Sequence, residues 1–182
     1  MATAAAGSLR RYNRFFLQRG IRTVLDYGAG TLRNARFLAE QGFSVYAADI
    51  PEQLERILRM SANATLSGVL DVGDLECAFL EADLVLSTYV LNIIPDGSEK
   101  WRYLRDVTLN LRNGGLLLVE ARCRREDEAC GNGCGNHGKC PSCIKTYSHE
   151  ELDLLVTPFG FSRISHYYRR HALAVLYEKV QD

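Results

Sequence analysis

The stretch VLDYGAGTLRNARFLAEQGFSVYAAD, residues 24–49, contains the features that decide the fold. A short apolar run, Thr23–Tyr27, predicts a buried strand and leads directly into Gly28-Ala29-Gly30. Glycine allows the sharp backbone turn and the close approach of a ligand at such a junction. Helical spacing over residues 32–41 follows, and then a second apolar run over residues 43–48. The stretch therefore predicts a strand, a glycine turn, a helix and a second buried strand.

The rest of the chain continues this alternation. Further helices are predicted at residues 10–19, 51–60 and 99–111 and from Ser148 onward, and further strands at residues 65–71, 83–88, 115–121, 161–168 and 172–180. Strands that are apolar throughout indicate a parallel sheet with both faces covered. The last two predicted strands have no helix between them, so we expect the final strand to be antiparallel.

Composition and length limit the possible classes of protein. The chain has 182 residues, 47% of them apolar, which predicts one folded domain over residues 1–182 rather than a disordered chain. Within it we expect an N-terminal helix at 8–20 and a Cys-rich insert at 122–145. The 22 basic and 22 acidic residues cancel, which removes the general attraction to nucleic acid. No apolar run approaches the length needed to span a bilayer.

The first residues give the only indication of location. Residues 1–7 are small and apolar but too short for a secretory signal, so we expect a cytoplasmic protein. Residues 8–22 contain five arginines and no acid, which is also the composition of a mitochondrial presequence. The sequence leaves the oligomeric state open.

Two acids flank the glycine turn and restrict the ligand. Asp49 follows the second strand about twenty residues after the turn, a spacing that suits hydrogen bonds to two ribose hydroxyls. Asp26, just before the turn, would repel a pyrophosphate, and Arg33 stands where a dinucleotide site has its third glycine. The pattern therefore favours a ligand with a ribose and an amino group over a dinucleotide.

These residues resemble motif I of the class I S-adenosylmethionine (SAM)-dependent methyltransferases, an apolar strand followed by D/E-x-G-x-G-x-G. The resemblance extends along most of the chain. Residues 83–92 look like the fourth motif of that family, and Asn113-Gly114-Gly115 looks like its "pGG" turn. It implies a Rossmann-like, doubly wound α/β fold with a mostly parallel seven-stranded sheet and an antiparallel last strand. The sequence departs from the motif at Leu32, where glycine is usual.

The resemblance implies a SAM site. In the family the acid after the second strand holds the ribose, which corresponds to Asp49, and an acid after the third strand contacts adenine. Asp71 and Asp74 compete for the second role, and Asp74 is preferred. The predicted cofactor-binding residues are Tyr12, Asp26, Tyr27, Gly28, Ala29, Gly30, Asp49, Ile50, Asp74, Ser87 and Thr88.

No dominant catalytic base is visible. Methyl transfer needs a base only when the nucleophile carries a proton that must leave. Tyr89, Asn92 and His137 are weak catalytic candidates, and Glu120 and His149 also lie where they can face the site.

A cluster of cysteines suggests a metal. Cys130, Cys134, Cys140 and Cys143 stand among glycines and polar residues, a pattern that predicts a tetrahedral Zn²⁺ site. Cys123 and His137 are spare ligands, and a redox switch or unpaired thiols are the alternatives. The cluster follows the fifth predicted strand, whose carboxyl end lies at the ligand-binding edge of such sheets. We therefore expect a structural zinc knuckle as one wall of the substrate pocket; a catalytic zinc would need an open coordination position.

Together these features predict a SAM-dependent methyltransferase that acts on a small molecule. The motif Asn/Asp-Pro-Pro-Tyr/Phe, common in enzymes that methylate exocyclic amines of bases, is replaced by Ser87-Thr88-Tyr89-Val90. Two alternatives stay open. A non-catalytic scaffold would keep the fold and bind SAM without turnover. A nucleic-acid methyltransferase or binding protein would use the knuckle with nearby cations, namely Arg122, Arg124, Arg125, Lys139 and Lys145.

Overall fold

The structure, a computed structural model, describes residues 4–95, 97–123 and 145–180. The predicted zinc ligands Cys130, Cys134, Cys140 and Cys143 lie outside the described residues, as does the catalytic candidate His137.

Helices and strands alternate along the described chain, as the sequence predicts. The helices are α1 (Gly7–Gln18), α2 (Arg33–Glu40), α3 (Pro51–Leu58), α4 (Leu75–Ala78), α5 (Ser98–Asn110) and α6 (His149–Val156). The strands are β1 (Thr23–Tyr27), β2 (Ser44–Asp49), β3 (Gly68–Asp71), β4 (Ala82–Thr88), β5 (Leu111–Arg122), β6 (Phe161–Arg169) and β7 (Ala172–Lys179). None of these helices has the length and hydropathy of a membrane span.

The seven strands form one sheet in the order β3-β2-β1-β4-β5-β7-β6. Strands β3, β2, β1, β4 and β5 are parallel to their neighbours, and β7 runs antiparallel between β5 and β6. This confirms the Rossmann-like sheet with an antiparallel last strand. The chain leaves β1 towards β2 on one side and reaches β4 on the other. Such a switch of direction opens a crevice at the carboxyl ends of the strands.

Both faces of the sheet are buried. Adjacent residues of β1 show this, because Val24 packs into one apolar cluster and Leu25 into the other. Helices α1, α2 and α3 cover the Val24 face, and α4, α5 and α6 cover the Leu25 face. Burial on both faces explains why the central strands are apolar throughout.

Apolar spacing in the helix predicted at 99–111 places Trp101, Leu104, Val107 and Leu111 on its core face. Leu104, Val107 and Leu111 are buried, but Trp101 is 57% exposed and packs against Phe159 at the edge of the core. The buried stripe also includes Lys100 and Tyr103. Hydropathy does not reveal this stripe because it includes a lysine, whose ammonium donates a 2.6 Å hydrogen bond to the Tyr147 hydroxyl.

The start of the third strand is also corrected. A strand was predicted over residues 65–71, but Ser61–Thr65 forms a 3₁₀ turn and β3 begins only at Gly68. The short helix α4 after β3 was not predicted, because four residues are too few to show a helical period.

Candidate functional site

A cleft of about 620 Å³ lies where β1, β2 and β4 end. This is the edge of the sheet at which the order of the strands reverses. Of the predicted site residues, Tyr27, Gly28, Gly30, Asp49, Ile50, Thr88 and Tyr89 line it. Residues that were predicted for the site from three separate strands therefore line one cavity.

The glycine turn packs too tightly for any side chain at its first position. Gly28 has φ +87°, and a Cβ built there would lie 2.4 Å from Cγ2 of Val90. The backbone N–H groups of Gly28 and Ala29 both donate to the Ala48 carbonyl, at 2.8 and 3.2 Å. The turn is thereby attached to the end of β2. Only glycine combines this positive φ with so close a contact.

Leu32, at the position where the motif has glycine, adopts a left-handed backbone conformation. Its φ of +58° is left-handed, which costs roughly 1–2 kcal/mol for a residue with a Cβ. Its side chain is fully buried in the cluster beneath α2, and burying a leucine contributes about 2 kcal/mol. The burial of the leucine side chain therefore offsets the cost of the left-handed backbone at the position where the sequence departs from the motif.

Asp49 joins the turn to the mouth of the cleft. Its Oδ2 accepts a 2.7 Å hydrogen bond from the Gly30 N–H, and its Oδ1 accepts one of 2.9 Å from the Ile50 N–H. On the other side of the turn, the Gln53 side chain donates to the Gly30 carbonyl at 2.8 Å. The carboxylate is thus held at the cleft wall by backbone donors.

Asp26 is a buried carboxyl group. It is 0% exposed, and within residues 4–95, 97–123 and 145–180 neither of its oxygens has a hydrogen-bond partner of normal distance and angle. Burial raises its pKa to about 7, and the nearby backbone of Ala35 offsets only part of that effect. The negative charge of Asp49 raises the pKa further. Burying such a group without a partner costs stability, so the site would favour a cation beside it.

The end of β4 contributes one residue to the cleft and one beneath it. The Thr88 hydroxyl lines the cleft and accepts a 2.9 Å hydrogen bond from the Asn34 side chain. Ser87 is buried, does not line the cleft, and accepts a 2.8 Å hydrogen bond from the Tyr103 hydroxyl. Tyr103 lines the cleft and stacks at 4.2 Å against Tyr27. Ser87 therefore positions a residue of the cleft wall.

Besides Asp26 and Ser87, three further predicted cofactor residues do not line the cleft. The Tyr12 hydroxyl is 2.7 Å from the Ser165 hydroxyl of β6. Ala29 is buried beneath the turn. Asp74 is exposed, and Val72 from the same short turn lines the cleft instead. The roles predicted for these three residues stay predictions.

The two described catalytic candidates have different surroundings. Tyr89 lines the cleft with a left-handed φ of +61°, which is rare for an aromatic residue. Its N–H donates to the Glu120 carbonyl at 2.6 Å. Asn92 is buried and does not line the cleft. Strained backbone is common at functional sites, and here it supports Tyr89 over Asn92.

Asn92 instead holds the two ends of the Cys-rich insert. Its Oδ1 accepts the Arg122 N–H at 3.1 Å, and its Nδ2 donates to the Lys145 carbonyl at 2.5 Å. The Tyr147 N–H donates to the Arg122 carbonyl at 2.8 Å. The insert therefore leaves and rejoins the fold at one point, next to the loop that follows β4.

Cys123 lies where the insert begins and is packed in the core. It is 4% exposed, and its thiol donates to the Arg170 carbonyl at 3.5 Å. These contacts disfavour Cys123 as a metal ligand. In residues 4–95, 97–123 and 145–180, no group of three potential ligands lies close enough to hold a metal ion.

Ten residues that line the cleft were not predicted as site residues from the sequence. These residues come from the faces of α3 and α5 and from loops, and their side chains match no motif. Gln53 was the easiest of these residues to predict, because it lies in the first turn of the helix directly after Asp49. The wall residues that were not predicted are Thr31, Gln53, Arg56, Val72, Val90, Ile93, Ile94, Glu99, Arg102 and Tyr103.

Comparison with known proteins agrees with this geometry. A family model described as a methyltransferase domain matches residues 3–181. A search of curated proteins finds no significant match.

Solved structures share the fold at low sequence identity. A SAM-dependent methyltransferase from Methanosarcina mazei has a TM-score of 0.70 and 15% identity over 99% of this chain and 100% of its own. The 1,6-didemethyltoxoflavin-N1-methyltransferase of Burkholderia thailandensis, solved with that substrate and S-adenosylhomocysteine (SAH), scores 0.68 at 19% identity, covering 96% and 79%. Human N-acetylserotonin methyltransferase, solved with SAM, scores 0.68 at 17% identity, covering 96% and 53%.

Asp26 should make the stability of the ligand-free protein depend on pH. Its pKa is raised from the model-peptide value of 3.8 to about 7, so the folded state binds more protons than the unfolded state between these values. The free energy of unfolding should therefore fall as pH rises from about 4 to 7 and then level off, by up to about 4 kcal/mol. Asp26→Asn should remove this contribution. Urea unfolding at pH 5 and pH 8 measures it.

The comparison of pH values separates this effect from an ordinary packing defect. The free energy of unfolding of Asp26→Asn, measured relative to that of the natural protein at the same pH, should be higher at pH 8 than at pH 5. An equal difference at both pH values would contradict the assignment of a raised pKa to Asp26.

Proposed function

The chain belongs to the methyltransferase domain family, and on that premise we propose that it transfers a methyl group from SAM to a small molecule. The observation that carries the proposal is the glycine turn at the cleft, flanked by the buried, unpartnered Asp26 and the cleft-lining Asp49. A buried carboxyl group that finds no partner among the described residues is well suited to a ligand that brings a cation.

The described residues fit the parts of SAM. Asp49, held by backbone donors, would accept hydrogen bonds from the ribose hydroxyls. Ile50, Val72 and Val90 give the cleft the apolar walls that an adenine ring requires. The carboxylate of Asp26 would attract the amino group of the methionine part. The absence of a Cβ at Gly28 leaves the cofactor close access to the backbone.

The protein's contribution to methyl transfer is alignment. Bound SAM supplies an electrophilic methyl group on a sulfonium, and the acceptor must approach it in line. Holding the two reactants in a fixed geometry lowers the entropic part of the activation barrier. Tyr89 is well placed for this role, because its strained backbone at the end of β4 is fixed by the hydrogen bond to β5.

The cleft and the composition favour a small acceptor. A volume of about 620 Å³ is within the usual range for small-molecule sites, roughly 300–1,000 Å³. The balanced charge of the chain gives no support to a nucleic-acid substrate. Two of the structural neighbours, the toxoflavin and N-acetylserotonin enzymes, are named for small-molecule substrates.

Binding of SAH, measured by isothermal titration calorimetry, tests this function. The natural protein should bind SAH, and Asp49→Asn should weaken binding at least about tenfold, because two charge-assisted hydrogen bonds are lost. Asparagine retains an oxygen that can accept the Gly30 N–H, so the fold should persist. Glu52→Ala, an exposed acid in the first turn of α3, is the control and should bind as the natural protein does. No binding of SAH to the natural protein would refute the proposal.

We further propose that Cys130, Cys134, Cys140 and Cys143 bind one structural zinc ion. The proposal is supported by their spacing among glycines and by the tied ends of the insert at Arg122 and Lys145, which bring the chain back to its starting point.

Metal analysis of the purified protein tests the zinc proposal. We expect close to one zinc ion per chain, as four thiolates complete a tetrahedral site. Cys140→Ser should lose the metal. Cys77→Ser removes an exposed cysteine outside the cluster and should keep it. Zinc that is absent from the natural protein, or retained in Cys140→Ser, would overturn the assignment.

A further inference from the structure

A second cavity adjoins the cleft on the far side of Tyr89. It has a volume of about 200 Å³ and lies between the start of α1, the end of β5 and the β6–β7 hairpin. Tyr89 lines both the cleft and this cavity. We call it the Glu120 cavity; its lining residues are Gly7, Ser8, Arg10, Tyr89, Glu120, Tyr167, Arg169, Ala172 and Ala174.

Small residues create this space. Ala174 is the cross-strand neighbour of Glu120 in the β5–β7 ladder, and Ala172 is the neighbour of Arg122. Gly7 lies opposite, where a Cβ would approach the Arg169 guanidinium to 3.2 Å. The cavity is smaller than the usual range for drug-sized ligands, so its occupant should be no larger than about one ring.

Glu120 is a buried acid whose charge is balanced by α1. The residue is 6% exposed, and its Oε2 accepts hydrogen bonds from both the N–H and the hydroxyl of Ser8, in the first turn of the helix. A carboxylate is favoured at that end of a helix. The Tyr89 hydroxyl also lies against Glu120, and burial together with this contact raises the pKa of Tyr89. The carboxylate therefore stands in the cavity as a hydrogen-bond acceptor.

The other walls are aromatic and cationic. Tyr89 and Tyr167 line the cavity, and the Arg11 guanidinium lies 4.3 Å from the centre of the Tyr167 ring. Arg10 and Arg169 are exposed at its rim. Neither arginine forms an ion pair with a carboxylate in the part of the chain that the structure describes. Two cations at the rim and one acceptor inside require a ligand with an anionic end and a donor end.

We propose that the Glu120 cavity is the methyl-acceptor subsite and takes a single-ring aromatic acid that carries a hydroxyl or amino group. This inference rests on the proposed function. The anionic group would pair with Arg10 and Arg169 at the rim. The hydroxyl or amino group would donate to Glu120, beside Tyr89 and next to the cofactor cleft. The oxygen or nitrogen of that donor group would thus be the nucleophile. Its bond to the methyl carbon would form as the S–CH₃ bond of SAM breaks, SAH would leave as the neutral thioether, and the proton of the donor group would pass to the Glu120 carboxylate.

Calorimetric binding of small aromatic probes to the SAH-saturated protein tests the subsite. The probes are the ortho, meta and para hydroxybenzoates, with benzoate lacking the donor and phenol lacking the charge. At least one hydroxybenzoate should bind about tenfold or more tightly than both benzoate and phenol, because it alone satisfies Glu120 and the arginines together.

Two variants assign the contacts. Arg169→Met should weaken hydroxybenzoate binding about tenfold and leave SAH affinity unchanged, whereas Arg36→Met, an exposed arginine on α2, should change neither. Glu120→Gln keeps an oxygen for Ser8, so its melting temperature should stay near that of the natural protein. It should reduce the preference for hydroxybenzoate over benzoate and strengthen benzoate binding, because a negative charge is removed.

The outcomes separate this inference from the proposed function. If SAH binds but no hydroxybenzoate binds more tightly than phenol and benzoate, the acceptor subsite is refuted while the methyltransferase assignment stands. Unchanged hydroxybenzoate binding in Arg169→Met would likewise refute it. Failure of SAH to bind would instead refute the proposed function.

Discussion

The contact between Gly28 and Val90 is the constraint on which the site depends. A Cβ at Gly28 would overlap the valine side chain, so the backbone can pass between β1 and α2 only as glycine. The same turn is held from the β2 side by the Ala48 carbonyl and the Asp49 carboxylate. This short turn thereby fixes the ends of β1, β2 and β4 relative to one another. The hydrogen-bonding groups of the site lie together at that edge of the sheet.

Two acids at this edge differ in how the protein satisfies their hydrogen bonds. Glu120 contributes to the fold, because its Oε2 anchors the first turn of α1. Asp26 is buried, has no hydrogen-bond partner among the described residues, and has a raised pKa. Binding sites commonly hold groups that cost stability until a ligand supplies their partner. The proposed zinc site is independent of both acids.

The sequence predicted most accurately those elements whose residue pattern is contained in one short segment. Strand β1 has the predicted bounds, Thr23–Tyr27, because its apolar run and the glycines that end it are adjacent in the chain. On α5, Leu104 and Val107 are buried as predicted, but Trp101 is exposed and Lys100 is buried. Periodicity does not reveal the burial of Lys100, because it depends on a hydrogen bond to Tyr147. The Glu120 cavity depends on the register that places Ala174 opposite Glu120. Such pairing between distant segments is set by tertiary packing rather than by either segment.

A crystal structure of the protein grown with SAH tests the cofactor site directly. We expect the nucleoside in the cleft, with the Asp49 carboxylate on the ribose hydroxyls and the amino group near Asp26. An unfilled cleft at saturating SAH, or a ligand bound with Asp49 directed away from the sugar, would contradict this expectation.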